Sequence, residues 1–262
     1  MKNVLRRTLC LTLACSAASV GLAQAADTDK TPDQVSTIYD ISVQPGHVAA
    51  FEKAVKGWNE CRKQNGSTHS YAMWEAETGD SMYVVTTPSG SWASMDERDP
   101  AGKACAQNFM DNVMPNIDGM STSVYVDMPE LSKPPADDSK GMPAYVVVTA
   151  YRIKPGKFAD FKNTTTKLTE AAIKTKWAPT WWTSRLAFGD RHKAADVTMV
   201  SPEASWATIG QPADPKTRAM LEGVYGKDET KKLYEQFMDS AKFLSTNVYR
   251  YNKDLSFTPD KK

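Results

Sequence analysis

A chain of 262 residues with 32 Lys and Arg against 31 Asp and Glu is nearly neutral. That balance excludes the basic face of a nucleic-acid binder and gives no electrostatic pull toward an anionic membrane surface. The length allows one large domain or two small ones.

The N-terminus reads as a targeting segment. Lys2, Arg6 and Arg7 precede an apolar, small-residue stretch from Thr8 to Leu22, and Ala23-Gln24-Ala25 has the small-x-small form of a signal-peptidase site. Residues 1–25 are expected to be removed between Ala25 and Ala26, placing the chain in the periplasm or outside the cell. The segment is too short and too interrupted for a retained anchor. The residues before Cys15 fit a lipidation signal poorly. Without the leader, 29 basic residues face 31 acidic ones. Cys10 and Cys15 leave with it. Cys61 and Cys105 remain, in a compartment that permits a disulfide, and two cysteines alone cannot hold zinc or an iron–sulfur cluster.

Residues 26–34 are polar and expected to fray. From Val35 to Val43 the pattern alternates: Val35, Thr37, Tyr39, Ile41 and Val43 share one strand face, Ser36, Ile38, Asp40 and Ser42 the other. Pro45-Gly46 ends this strand. Val48, Phe51, Val55, Trp58 and Cys61 then recur at helical spacing, and Asn65-Gly66 closes the helix. His69 to Glu75 and Ser81 to Thr87 read as a hairpin around Thr78-Gly79-Asp80. A helical region from Ser91-Trp92 to about Met114 is interrupted at Asp99-Pro100. Ser121 to Asp127 is a fourth strand. Residues 133–143 hold Pro134, Pro135 and Pro143 and read as a linker.

The same order then recurs. VQPGHVAAF (Val43 to Phe51) is answered by IKPGKFADF (Ile153 to Phe161), a period of about 110 residues. Further anchors follow in register: Gly79-Asp80 with Gly189-Asp190, Pro88 and Trp92 with Pro202 and Trp206, Phe109-Met110-Asp111 with Phe237-Met238-Asp239, and Val124-Tyr125 with Val248-Tyr249. Two β-α-β-β-α-β units are expected, over 35–132 and 144–258. Each is ferredoxin-like, an α+β arrangement with both helices on one face of a four-stranded sheet. The uncovered, aromatic-rich face of each sheet needs a cover, and the other sheet supplies it. A barrel with helices outside is the expected result.

A strand, Pro-Gly, a helix with Phe five residues after the Gly, a hairpin and a Trp-headed second helical region resemble the dimeric α/β-barrel superfamily, which includes antibiotic-biosynthesis-monooxygenase-like domains. The resemblance spans both units and rests on topology. It implies the fold strongly and function weakly, because members include cofactor-free oxygenases, haem-degrading enzymes and isomerases. The Asn, Trp and His set that the resemblance implies for haem degradation has no match here.

Candidate chemistry is sparse. His47 and His192 read as solvated residues. His69 opens an aromatic strand, and if it faces the barrel interior it is an acid–base candidate; the alternative is a strand-end histidine satisfied by backbone. Asp40 and Arg152 lie on strand faces expected to meet the other sheet. They are candidates for an internal ion pair or polar floor, or else reach water near strand ends. Trp181, Trp182 and Arg185 form the densest aromatic–cationic cluster, and one tryptophan with Tyr71 or Trp74 could line a slot for a flat apolar ligand. Cys61 and Cys105 fall on neighbouring helices and are expected to be bonded. No metal site and no cofactor are expected, and no phosphate loop, serine elbow or carboxylate pair occurs. The reading is an exported monomer that binds a small apolar or aromatic molecule in the barrel. The alternatives are a cofactor-independent oxygenase or isomerase using His69 or Asp40, and a filled-barrel interaction or stress protein.

Overall fold

In the computed structural model of the chain, the described residues are 33–80, 82–136 and 141–260. The leader, its cleavage point and Cys15 lie outside them. Eight strands close into one antiparallel barrel: β1 (Val35–Val43), β2 (Tyr71–Ala76), β3 (Tyr83–Thr86), β4 (Ile117–Asp127), β5 (Tyr145–Ile153), β6 (Trp182–Phe188), β7 (Val197–Glu203) and β8 (Ala241–Phe257), in the order β1-β3-β2-β8-β5-β7-β6-β4. In the first half, β1 lies between β4 and β3 with β2 outermost; in the second, β5 lies between β8 and β7 with β6 outermost. The junctions are β2 on β8 and β4 on β6, so no strand keeps a free edge.

The repeated Pro-Gly motif launches the long helices α1 (Val48–Gln64) and α3 (Phe158–Lys174). Gly46 and Gly156 take φ of 81° and 75°, a backbone region that side-chain-bearing residues rarely adopt. The chain therefore turns off the strand and into the helix at the same step in both halves. Each motif's phenylalanine, Phe51 or Phe161, is wholly buried between its helix and the barrel's outer wall.

The interrupted helical region resolves into a 3₁₀ turn at Trp92–Asp96 and α2 (Pro100–Asn108), which runs into a π turn at Phe109–Val113. Asp99 caps α2 by accepting from the Ala101 amide at 3.1 Å, and Pro100 occupies the first helical position, where no amide is needed. In the second half α4 (Trp206–Ile209), α5 (Thr217–Tyr225) and α6 (Lys227–Ser240) take this place. Among the described residues no helix is long and apolar enough to cross a membrane.

Two junction segments reach across. Beyond β4, the 3₁₀ turn Pro129–Leu131 seats Leu131 with Phe161 and Val197 of the second half. Beyond that, Lys133, at the expected start of the linker, exchanges two backbone hydrogen bonds with Trp181. In the other direction, β8 carries Leu255 and Phe257 into the core of the first half, beside Tyr71 and Val55.

Strand parity sorts the side chains. On β1, Ile41 and Val43 face α1, as the alternation predicts. The other parity turns inward, where Ala72, Trp74 and Val146 form a buried cluster with Val84, Val148, Val200, Tyr249 and Tyr251. The barrel's inside is thus occupied by this chain's own aromatic and aliphatic groups over that stretch.

Candidate functional site

The site builds up from the apolar stripe of α1. Phe51, Val55 and Trp58 face the outer wall of β1, β3 and β2, and the next residue at that spacing is Arg62, not Cys61. The Arg62 side chain is 6% exposed and pairs with Asp99, 12% exposed, at 3.0 Å. The guanidinium also donates to Ser67 Oγ at 3.0 Å and to the His69 carbonyl at 2.7 Å. It lies 4.9, 5.2 and 4.4 Å from the rings of Trp58, Tyr71 and Phe257. Burial opposes ionisation of Asp99, but hydrogen bonds from Ser67, the Ala101 amide and Arg62, with the guanidinium charge, outweigh it and hold the carboxyl below its ordinary range.

Above this cluster a cavity of about 490 Å³ opens between the barrel's outer wall and α1 and α2. Its walls are mostly apolar: Ile41, Met73 and Val85 from the strands, Val55 and Trp58 from α1, Ala101 and Ala106 from α2, and Phe109. Met110 and Met120 line it too and are 56% and 46% exposed, flexible side chains that can repack around differently shaped guests. Polar groups are few. Tyr71 donates its hydroxyl to Asn59 at 2.6 Å, and burial pushes its phenol up to about 12, so it stays protonated. His69 lines the cavity, and its imidazole engages no hydrogen-bond partner among the described residues. Volume and lining suit a small, largely apolar guest.

Cys61 and Cys105 are bonded, with Cα atoms 5.9 Å apart. The bond ties α1 to α2, the helices that carry much of the cavity's helical wall.

Several expectations need correction. His69 precedes β2 and lines this outer cavity, not the barrel interior; only its backbone carbonyl is engaged, so its imidazole is not satisfied by backbone either. Tyr71 and Trp74 differ in strand parity and point to opposite sides of the wall. Tyr71 lines the cavity, whereas Trp74 sits inside the barrel and donates to Thr86 at 3.1 Å. Trp181 is buried on the helix side against Trp177, donating to the Leu131 carbonyl at 2.8 Å. Trp182 turns the other way, 36% exposed. No single slot gathers these rings. Arg185 lies over the Phe158 ring, 5.3 Å from its centroid, away from Tyr71 and Trp74.

Asp40 and Arg152 do not pair with each other. Arg152 reaches Asp196 at 3.0 Å, and Arg191 shares the same carboxylate. Asp40, directly across from Val84 on the inward face, engages no hydrogen-bond or ion-pair partner among the described residues. Burial raises its carboxyl above the ordinary range. A group that binds its proton more tightly when folded favours the fold at low pH and disfavours it once pH passes the folded pKa. Asp40→Asn is therefore expected to stabilise the protein at pH 7 and to lose that advantage toward pH 4. Urea midpoints at the two values check it, and an unchanged midpoint at pH 7 counts against it.

His47 bonds Asn116 at 3.0 Å, and His192 is exposed. Among the described residues no group of three or more His, Cys, Asp or Glu could hold a metal ion. Arg62 and Asp99 were the residues that sequence reasoning missed. The spacing of the apolar stripe pointed at Arg62, and the Asp-Pro pair that restarts the helix marked Asp99.

No protein-family model matches this chain, and no curated protein does. Solved structures do match in fold. A candidate monooxygenase from Fusobacterium nucleatum aligns over 87% of this chain and 94% of its own, with a TM-score of 0.51 at 8% identity. An anthrone oxidase-like protein aligns over 85% and 92%, with 0.51 at 10%. A chlorite dismutase from Candidatus Nitrospira defluvii, solved with imidazole, aligns over 84% and 92%, with 0.51 at 9%. These likenesses establish the fold, a mixed α+β chain around a closed eight-stranded antiparallel barrel.

Proposed function

We propose that the protein binds a small, largely apolar or aromatic molecule in the cavity beside α1 and α2. The observation that carries this is the cavity itself: about 490 Å³, apolar-walled, with His69 among its lining residues. The binding site thereby moves from the barrel interior, where the sequence placed it, to the outer wall of the first half.

The same reading takes the chain as two fused ferredoxin-like units, in which each half repeats one strand order. Such a chain closes its barrel without a partner subunit and is a monomer. The N-terminal pattern supports export. The second half packs the corresponding place differently. Tyr151 stands where β1 has Ile41 and packs against Phe161 and Phe237 at 5.8 and 5.5 Å. Ala172 stands at the position of Arg62. One half retained the space and the other filled it.

A second reading makes the cavity catalytic, as a cofactor-independent oxygenase or isomerase. It is favoured by His69, a cavity-lining residue whose imidazole has no hydrogen-bond partner among the described residues, and by the monooxygenase and oxidase names borne by two fold neighbours. A haem fits these residues poorly. Its two propionates need cations, and the one Arg or Lys on the cavity lining, Arg62, is committed to Asp99.

Native mass spectrometry of protein purified from its own producing cells, before and after denaturation, tests binding. A small molecule lost on denaturation is the expected result. A bare mass, with no uptake of hydrophobic probes such as 8-anilinonaphthalene-1-sulfonate, favours the filled-barrel interaction protein instead. His69→Ala separates the first two readings. If the cavity is catalytic, it should lower turnover of the recovered molecule by about 10²-fold or more while leaving its Kd within a few-fold. If the cavity only binds, no turnover exists to lose.

A further inference from the structure

A second cleft, of about 600 Å³, lies in the other half of the molecule, bounded by the Lys154-Pro155-Gly156 turn, the start of α3 and the end of β6. It differs in chemistry from the cavity. Lys154, Arg185 and Arg191 line it with a single acid, Asp196, beside the apolar side chains of Phe158 and Phe188.

The charge there is not balanced. Asp196 is consumed from three sides, by Arg152, by Arg191 and by the Ile153 amide, which donates at 2.9 Å. Lys154 has a distant share of Asp239 at 3.7 Å, and Asp239 is also held by Lys157 at 2.8 Å. Arg185 meets no carboxylate among the described residues. The nearest acid in sequence and the acid on the neighbouring strand are engaged elsewhere: Asp190 accepts from the His192 amide, and Asp127 accepts from Ser89 and Ser184.

In the first half the corresponding position is neutralised. Glu75 stands there on β2, and its cross-strand partner on β8 is Arg250, with which it pairs. Arg185 occupies the corresponding place on β6, and its cross-strand partner on β4 is the buried, apolar Val126. The same fold thus presents a matched ion pair in one half and an unmatched guanidinium in the other. That guanidinium is held over the Phe158 ring, a contact that uses its flat face and leaves the in-plane N–H donors available. Two donors in a rigid fork match the two oxygens of a carboxylate.

We propose that this cleft binds a small organic acid, with its carboxylate on Arg185, supported by Lys154 and Arg191, and its apolar body against Phe158 and Phe188. The site is separate from the cavity beside α1, and either can fail without the other.

The test is an amide-resolved NMR titration of the purified protein at low salt with sodium phenylacetate, sodium acetate and inorganic phosphate. Phenylacetate is expected to shift Gly156, Ala187 and Gly189 saturably, with acetate and phosphate at least about tenfold weaker because they lack the apolar body. Arg185→Ala should weaken phenylacetate by about tenfold or more, and Arg185→Lys should restore only part of that, having no fork. Raising NaCl to about 0.5 M should weaken it as well, because the cations are solvent-facing. Arg185 is exposed, so its variants should keep the wild-type spectrum; the salt series and the acetate comparison give the answer without any substitution. Equal binding of acetate and phenylacetate, shifts indifferent to Arg185→Ala, or shifts at Trp58 and Tyr71 instead would each overturn the assignment.

Discussion

Arg62→Ala is expected to lower the unfolding free energy by about 3–5 kcal/mol, a large share of the stability of an ordinary domain. The cost has two sources. The substitution leaves the nearly buried Asp99 without its ion-pair partner, and it removes a guanidinium that packs among Trp58, Tyr71 and Phe257. Asp99 keeps its bonds from Ser67 and from the Thr68 and Ala101 amides, which favours the lower end of the range. Urea denaturation should show a lowered midpoint with an unchanged slope. Replacing both partners with apolar residues, as in Arg62→Met with Asp99→Leu, should recover much of the loss, since neither charge is then stranded. The pH dependence follows from the lowered carboxyl of Asp99. Its contribution is present above the ordinary carboxylate range and lost as pH falls through the folded value, so the wild type should lose stability toward acid more steeply than Asp99→Asn. A loss below about 1 kcal/mol for Arg62→Ala would mean that water reaches the pair.

Removing the disulfide by Cys61→Ala with Cys105→Ala is expected to cost about 4 kcal/mol in the loop-entropy account, since the bridge spans a sequence separation of 44. For a domain of this size that corresponds to a fall in Tm of about 8–16 °C. Alanine is the suitable replacement, because Cys105 is 1% exposed and a serine hydroxyl there would be buried. The two helices so joined also wall the cavity, so the variant should bind its guest more weakly, and dithiothreitol should reproduce both effects. A Tm change under about 3 °C would show that packing alone holds α1 against α2.

The fold was legible because the sequence repeats its turning points. Pro45-Gly46 and Pro155-Gly156 mark the same change of direction, whereas the alternation on β1 divided its residues between two faces without saying which face turns inward. The pairing of Cys61 with Cys105 followed from placing them on adjacent helices. The site was harder to read. A β-α-β-β-α-β unit has two sides that can hold a ligand, and nothing in the aromatic content of Tyr71 and Trp74 says that these residues, three apart, serve different sides. His69 was read as the first residue of its strand; β2 begins at Tyr71 instead, and His69 lies on the lining of the outer cavity. Arg62 was hidden by composition, because a charged residue at the end of an apolar stripe looks like a solvated terminus until Asp99, 37 residues on, is brought beside it. For Asp40 and Arg152 an internal pair, a polar floor and access to water stayed open, because the partner of Arg152, Asp196, lies on neither of their strands.

The last strand has a consequence for how the molecule is made. Asn59, on the first helix, donates to the carbonyls of Leu255 and Ser256, and Tyr71 stands opposite Phe257. During synthesis the first half therefore emerges with its outer strand unpaired and part of its core uncovered. It stays so until almost the whole chain has left the ribosome. Contacts this distant in sequence are slow to form. A nascent chain of this kind closes its first core only late in synthesis, and any truncation before Leu255 would leave that early core with no lid.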